Sequence, residues 1–187
     1  DLDALASVWM LRRFDARNYA DSKLYFVNAG ESVDLRTAAD LGFSPEDITH
    51  TDTGKGQFDH HQEERGKLRM CATSLVYDYV CHIHPELKTD KALSFMSEYV
   101  TQIDHFEESN WEHATDLLYQ CMIHNLIDGA RRSGLTDDEA IARFGFTCLD
   151  AAYSGIAEQL EAQQEIETKR QEFMTPWGKA MAIESAN

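Results

Sequence analysis

At 187 residues, 43% of them hydrophobic, the chain is long enough for one packed domain and the beginning of a second. Its 17 basic against 33 acidic residues leave a net charge of −16, which repels polyanions and supplies no broad basic footprint, so long duplex nucleic acid is not an expected partner. No stretch approaches the roughly 18 consecutive apolar residues of a membrane span, and the N-terminus lacks the basic-then-apolar pattern of a secretory signal. A globular, cytoplasmic protein with no membrane partner is expected.

In chain order, Leu5, Val8, Trp9 and Leu11 recur at helical spacing between Ala4 and Phe14, so Asp1-Leu2-Asp3 lies just before a helix N-terminus. Lys23 to Asn28 (KLYFVN) predicts a buried strand. Val33 to Leu41 predicts a short amphipathic helix, and Asp47 to Thr51 a second strand that runs into Asp52-Thr53-Gly54. This rhythm predicts an α/β fold, a parallel β-sheet with flanking helices, whose functional residues gather at the strands' carboxyl ends. Beyond residue 70 the pattern is helical, over Ala72 to His82, Asp90 to Phe106, His113 to Ser133, Asp137 to Phe144 and Cys148 to about Phe173, so the C-terminal half is expected to be mostly helical. The polar run Glu158 to Glu172 predicts a solvated connector. Cys71, Cys81, Cys121 and Cys148 stand far apart with no CxxC pair and are expected to be reduced core residues. The ends read as those of a fragment: the chain opens without Met on Asp1, and Ala180 to Ser185 looks like a strand being entered.

Four clusters carry candidate chemistry. Asp1 and Asp3 offer two carboxylates at one junction, suited to a bridged metal pair or, equally, to capping a helix. Asp52 ends an apolar run before the flexible Gly54-Lys55-Gly56 and can bridge two cations or simply occupy a turn. Asp59-His60-His61 is the sharpest feature, because adjacent imidazoles beside a carboxylate are hard to explain as packing. One ring can ligate while the other faces substrate, with Asp59 holding a ring nitrogen from behind. Asp104 ends an apolar helix where packing does not require a carboxylate, and makes a reasonable terminal ligand. Its neighbour His105 is expected to be exposed.

Oxygen-rich ligation with one or two imidazoles suits Mn(II), with Mg(II) the alternative. Two such ions can activate water for in-line attack on phosphorus, and His61 can bind the phosphoryl oxygens or protonate the leaving group. Arg65, Lys67 and Arg69 are weaker candidates for phosphate contacts.

The set DLDA, DTG, DHHQ and IDHFE, in that order, resembles the DHH phosphoesterase superfamily, which includes RecJ-type exonucleases, family II inorganic pyrophosphatases and oligoribonucleases. Phe58 to Gln62 followed by Ala72 to Tyr77 also resembles the melanocyte proliferating gene product branch. The resemblance covers about residues 1 to 110. It implies that Asp3, Asp52, His60 and Asp104 hold one metal and that Asp1 and Asp52 share the other. It also implies a His a few residues before the DxD, a first strand before Asp1, and a smaller second domain that sets substrate identity. Residues 1–145 are accordingly expected to form a DHH-type catalytic domain lacking its first strand, and 146–187 a connector helix with the start of a second domain.

The expected function is metal-dependent hydrolysis of a phosphodiester or phosphoanhydride in a small phosphate ester or a short single-stranded oligonucleotide. The competing reading is a catalytically inactive DHH-like binding or regulatory module. An HD-type phosphohydrolase fits less well, since Asp59-His60 and Asp104-His105 reverse its His-Asp order. The sequence leaves a homo-oligomer open.

Overall fold

The structure is a computed structural model and describes residues 1–28 and 30–183. Among the described residues seven α-helices and one hairpin succeed one another: α1 Leu2–Phe14, α2 Ala16–Tyr19, α3 Leu35–Asp40, α4 Ala72–Ile83, α5 Lys91–Asp104, α6 Ile123–Arg132, α7 Asp138–Lys169, β1 Gln171–Thr175 and β2 Gly178–Ala182. No helix among the described residues is long and apolar enough to cross a membrane.

α1 is the centre of the core. Leu2, Leu5, Ala6, Trp9 and Met10 are buried along it, and it packs against α4, α5, α6 and α7. Val76 and Val80 of α4, Leu93, Met96 and Val100 of α5, Ile127 of α6, and Ile141 and Leu149 of α7 complete one continuous core with it. Gly145, inside α7, is what lets these helices close, since a Cβ there would stand 3.0 Å from Leu5 Cδ1 and 3.5 Å from Ile127 Cδ1. The Trp9 indole N–H donates to Asp150 Oδ1 at 2.9 Å, tying α1 to α7 a second time.

The expected parallel sheet is not present. Among the described residues the only sheet is the antiparallel β1–β2 hairpin, with Gln171 opposite Ala182 and Thr175 opposite Gly178. Among the described residues Lys23 to Asn28 pairs with no strand, and Tyr25 and Phe26 are exposed instead of buried. The expected strand at Asp47 to Thr51 begins inside a 3-10 turn, Pro45–Asp47, and its one sheet-like contact is a single parallel bridge from Thr51 to Phe58. Physically, an apolar run lowers the cost of extended backbone but makes a strand only where a second strand accepts its N–H and C=O groups. Here the helices on α1 close the core instead.

The helical half also departs in detail. The predicted helix His113 to Ser133 is broken by His113 in the left-handed region (φ 55°) and by a 3-10 turn at Leu117–Cys121, so that α6 starts only at Ile123. The segments predicted separately at Asp137 to Phe144 and Cys148 to Phe173 are one helix, α7, with Phe173 beyond it in β1. Cys71 and Cys81 are buried, Cys148 is half-buried, and Cys121, against expectation, is exposed. The strand expected over Ala180 to Ser185 coincides with β2 up to Ala182; Glu184 and Ser185 lie outside the described residues.

Candidate metal centre

Three separated stretches of chain converge at the N-terminal end of α1. Asp3 sits in the first turn of α1 and is 3% exposed. Its Oδ2 accepts the Ala72 N–H at 2.7 Å and its Oδ1 the Thr73 N–H at 2.8 Å, while the Thr73 hydroxyl donates to the Asp3 carbonyl. The carboxylate thus satisfies the first free amides of α4 and meets the positive end of its dipole. Each oxygen keeps a further lone pair.

The second stretch is the loop from Thr51 to His61. Asp52 adopts a left-handed backbone (φ 58°), and its N–H donates to the Phe58 carbonyl at 2.8 Å, closing a turn that returns the chain beside itself. Phe58 is buried edge-on against Tyr79 of α4, which anchors the Asp59-His60-His61 run to the core. The third stretch is the end of α5, whose last residue is Asp104.

At the meeting point, His60 Nε2 lies 3.3 Å from Asp52 Oδ1, 3.6 Å from Asp104 Oδ2 and 4.0 Å from Asp3 Oδ2. Two overlapping sets of ligand-type atoms result, Asp3 with His60 and Asp104, and Asp52 with His60 and His61, each within 4.8 Å of one another. Asp52 Oδ1 and His60 Nε2 are both buried and have no hydrogen-bond partner. Burial, then the charges of Asp3, Asp104 and Asp59, push the Asp52 carboxyl up to about 8. Burial and Asp3 raise Asp104 as well. Three carboxylates crowded on one imidazole, two of them unwilling to ionise, form a site whose charge a divalent cation would balance. The donor set fits Mn(II) or Mg(II).

Asp59 is not among these ligand sets. Its Oδ1 accepts the His61 N–H at 2.9 Å and faces His61 Nδ1 at 2.8 Å, and its Oδ2 accepts the Lys55 N–H at 2.6 Å. Burial raises its pKa, but these donors outweigh burial and hold the carboxyl below its ordinary value. An ionised carboxylate only accepts, so His61 carries its proton on Nδ1 and presents Nε2 outward. The His61 side chain is 60% exposed, and its ring centroid is 4.2 Å from that of His60.

The remaining sequence candidates lie outside these ligand sets. The Asp1 carboxylate accepts the Ala4 N–H at 3.0 Å as the N-cap of α1 and belongs to neither ligand set. One guanidinium nitrogen of Arg65 donates to the carbonyls of Gln57 and Asp59, both at 3.0 Å, bracing the loop from behind. Arg69 is held by Glu98 and Glu107, whose carboxylates raise its pKa further. Lys67 is exposed. His105 is half-buried, not exposed as expected: its Nε2 faces the Met70 carbonyl at 3.0 Å and Asp104 Oδ2 at 3.9 Å, pinning the end of the histidine loop beside the site. Its position directly after Asp104 was the only sequence signal for it.

Comparison of the chain with protein-family models, with curated proteins and with solved structures returned no match.

Proposed function

We propose that the chain is a divalent-metal-dependent phosphohydrolase acting on a small phosphate ester or a short single-stranded oligonucleotide. The observation that carries this reading is the orphaned pair Asp52 Oδ1 and His60 Nε2, buried 3.3 Å apart amid two further carboxylates. Such a pair is costly in an empty protein and favourable around a cation. The order of the DLDA, DTG, DHHQ and IDHFE motifs supports the same reading through its resemblance to the DHH phosphoesterases. It rests on the site and not on the fold.

In this reading Asp3, Asp52, His60 and Asp104 would hold one ion, and Asp52 would reach toward a second. A bound divalent ion supplies Lewis acidity toward water and neutralises charge on the phosphoryl oxygens. The protein's own share is positional and protonic. Asp3 is fixed by α4, and Asp52 by its closed turn. His61, turned by Asp59, presents Nε2 to a phosphoryl oxygen and, when protonated there, gives that proton to the leaving oxygen. The net charge of −16 favours small or short substrates that arrive with their own cations.

The test is hydrolysis of pyrophosphate, short oligonucleotides and a chromogenic phosphodiester, each with Mn(II) and with chelator, by the wild type and by His60→Ala. Manganese-dependent turnover lost in His60→Ala supports the reading. Metal uptake with no turnover on any substrate supports the DHH-like binding module instead.

A further inference from the structure

We infer that His50 is a positioning residue for the Asp52 carboxylate, acting as a wedge between two backbone segments, an inference that rests on the metal reading above. The His50 Nε2 accepts the Val33 N–H at 3.1 Å, so the ring bridges to a segment seventeen residues earlier. A few residues on, the Thr53 hydroxyl donates to the Glu31 carbonyl, a second tie between the same two segments. The same ring also lies directly against Gly54. A Cβ at Gly54 would meet His50 Cγ at 2.6 Å and Cδ2 at 2.7 Å, closer than side chains approach, and Gly54 itself is left-handed (φ +75°).

In the chain Asp52 lies midway between His50 and Gly54, held in a left-handed conformation uncommon for a residue with a Cβ (φ 58°), with one backbone hydrogen bond, to Phe58. A strained residue persists where its surroundings over-determine it. His50 supplies that constraint on one side as Phe58 does on the other. His50 belongs to neither set of ligand-type atoms, so its effect is on where Asp52 points.

The experiment compares wild type, His50→Ala, His50→Gln, Gly54→Ala and the His50→Ala/Gly54→Ala double variant. The glutamine amide oxygen reaches about as far as Nε2 and can accept the Val33 N–H. Amide exchange at Val33 and Asp52 in metal-stripped protein reads the turn, Mn(II) affinity reads the site, and unfolding temperature reads the fold. The expected result is faster exchange at both amides in His50→Ala, Mn(II) affinity weaker by about 10-fold to 100-fold, substantial recovery in His50→Gln, and little change in metal-free unfolding temperature. Gly54→Ala should weaken Mn(II) binding more in the wild-type background than in His50→Ala, where the ring it strikes is gone.

Unchanged exchange, unchanged Mn(II) affinity despite faster exchange, or no recovery in His50→Gln would overturn the positioning role. If His50→Ala does not fold, the Gln variant and Gly54→Ala decide by the same readouts. Should the wild type bind no Mn(II), the metal reading fails first, and faster exchange in His50→Ala then marks the residue as structural only, which also overturns the inference.

Discussion

Asp52 Oδ1 and His60 Nε2 face each other across 3.3 Å, both buried and neither hydrogen-bonded. They come from the two ends of one loop, brought together because the Asp52 N–H closes on the Phe58 carbonyl. Substituting either should remove the site without removing the fold. His60→Ala and Asp52→Asn are each expected to weaken Mn(II) binding by more than about 100-fold, beyond the loss typical of a residue that only supports a ligand. Calorimetric titration of metal-stripped protein measures this, and near wild-type affinity in His60→Ala would remove that residue from the centre.

The same crowding predicts a pH dependence. The Asp52 carboxyl is raised from 3.8 to about 8 in the folded protein, so it binds its proton more tightly folded than unfolded. Its contribution is most favourable at low pH and is lost as pH rises from about 4 through about 8. Asp104 is shifted the same way. Asp59 and Glu98 are lowered and lose their contribution only as pH falls into the carboxylate range, while His124, lowered by burial, gains stability as pH rises. Comparison with Asp52→Asn cancels Glu98 and His124, whereas Asp104 and Asp59, whose charges act on Asp52, move with it. In chelator, the unfolding temperature of wild type relative to Asp52→Asn should fall between pH 5 and pH 8 by several degrees, for a difference of order 1–3 kcal/mol. Saturating Mn(II) should reverse the ranking of the two proteins at pH 8. A constant difference across that range would refute the proposed burial of the Asp52 charge.

Asp3 differs from the other carboxylates because it has a second task. Its two oxygens satisfy the Ala72 and Thr73 amides at the start of α4. Asp3→Ala should therefore cost about 1–3 kcal/mol even in chelator, since it strands two buried N–H groups, whereas Asp104→Ala should cost little there. Denaturant unfolding of both variants without metal separates the roles, and equal stability of the two would show that Asp3 does not hold α4.

Arg65 and Arg69 should behave unlike phosphate-binding residues. Arg65 braces the carbonyls of Gln57 and Asp59, so Arg65→Ala should lower Mn(II) affinity along with turnover. Arg69 is taken up by Glu98 and Glu107 at the surface, and Arg69→Gln should leave kcat and KM within about twofold. A selective rise in KM for Arg69→Gln would show the guanidinium exchanging its glutamates for substrate.

What the sequence showed and hid follows from locality. The helix starts at Asp90 and Asp137 are legible because a cap is a local event: Asp90 accepts the Leu93 N–H and Asp137 the Ala140 N–H, each three residues on, whereas no helix starts at His113 or Cys148. The sheet was not legible, because KLYFVN looks the same whether a strand pairs with it or not. The DxD motif divided for a related reason. The sequence places Asp1 and Asp3 together just before a helix, but α1 already begins at Leu2, and residues two apart on a helix point to nearly opposite sides. Asp3 therefore turns to His60, and Asp1 turns back to cap its own helix. The tie of His50 to Val33 depends on a contact seventeen residues away, and no local pattern announces it.

The most direct test is Mn(II) titration of the metal-stripped chain with bound ions counted, in parallel for wild type and Asp52→Asn. The account predicts saturable, stoichiometric binding by the wild type at pH 8, release of protons as Asp52 gives up its own, and loss of both in Asp52→Asn. Absence of saturable binding by the wild type, or binding that Asp52→Asn retains unchanged, would contradict it.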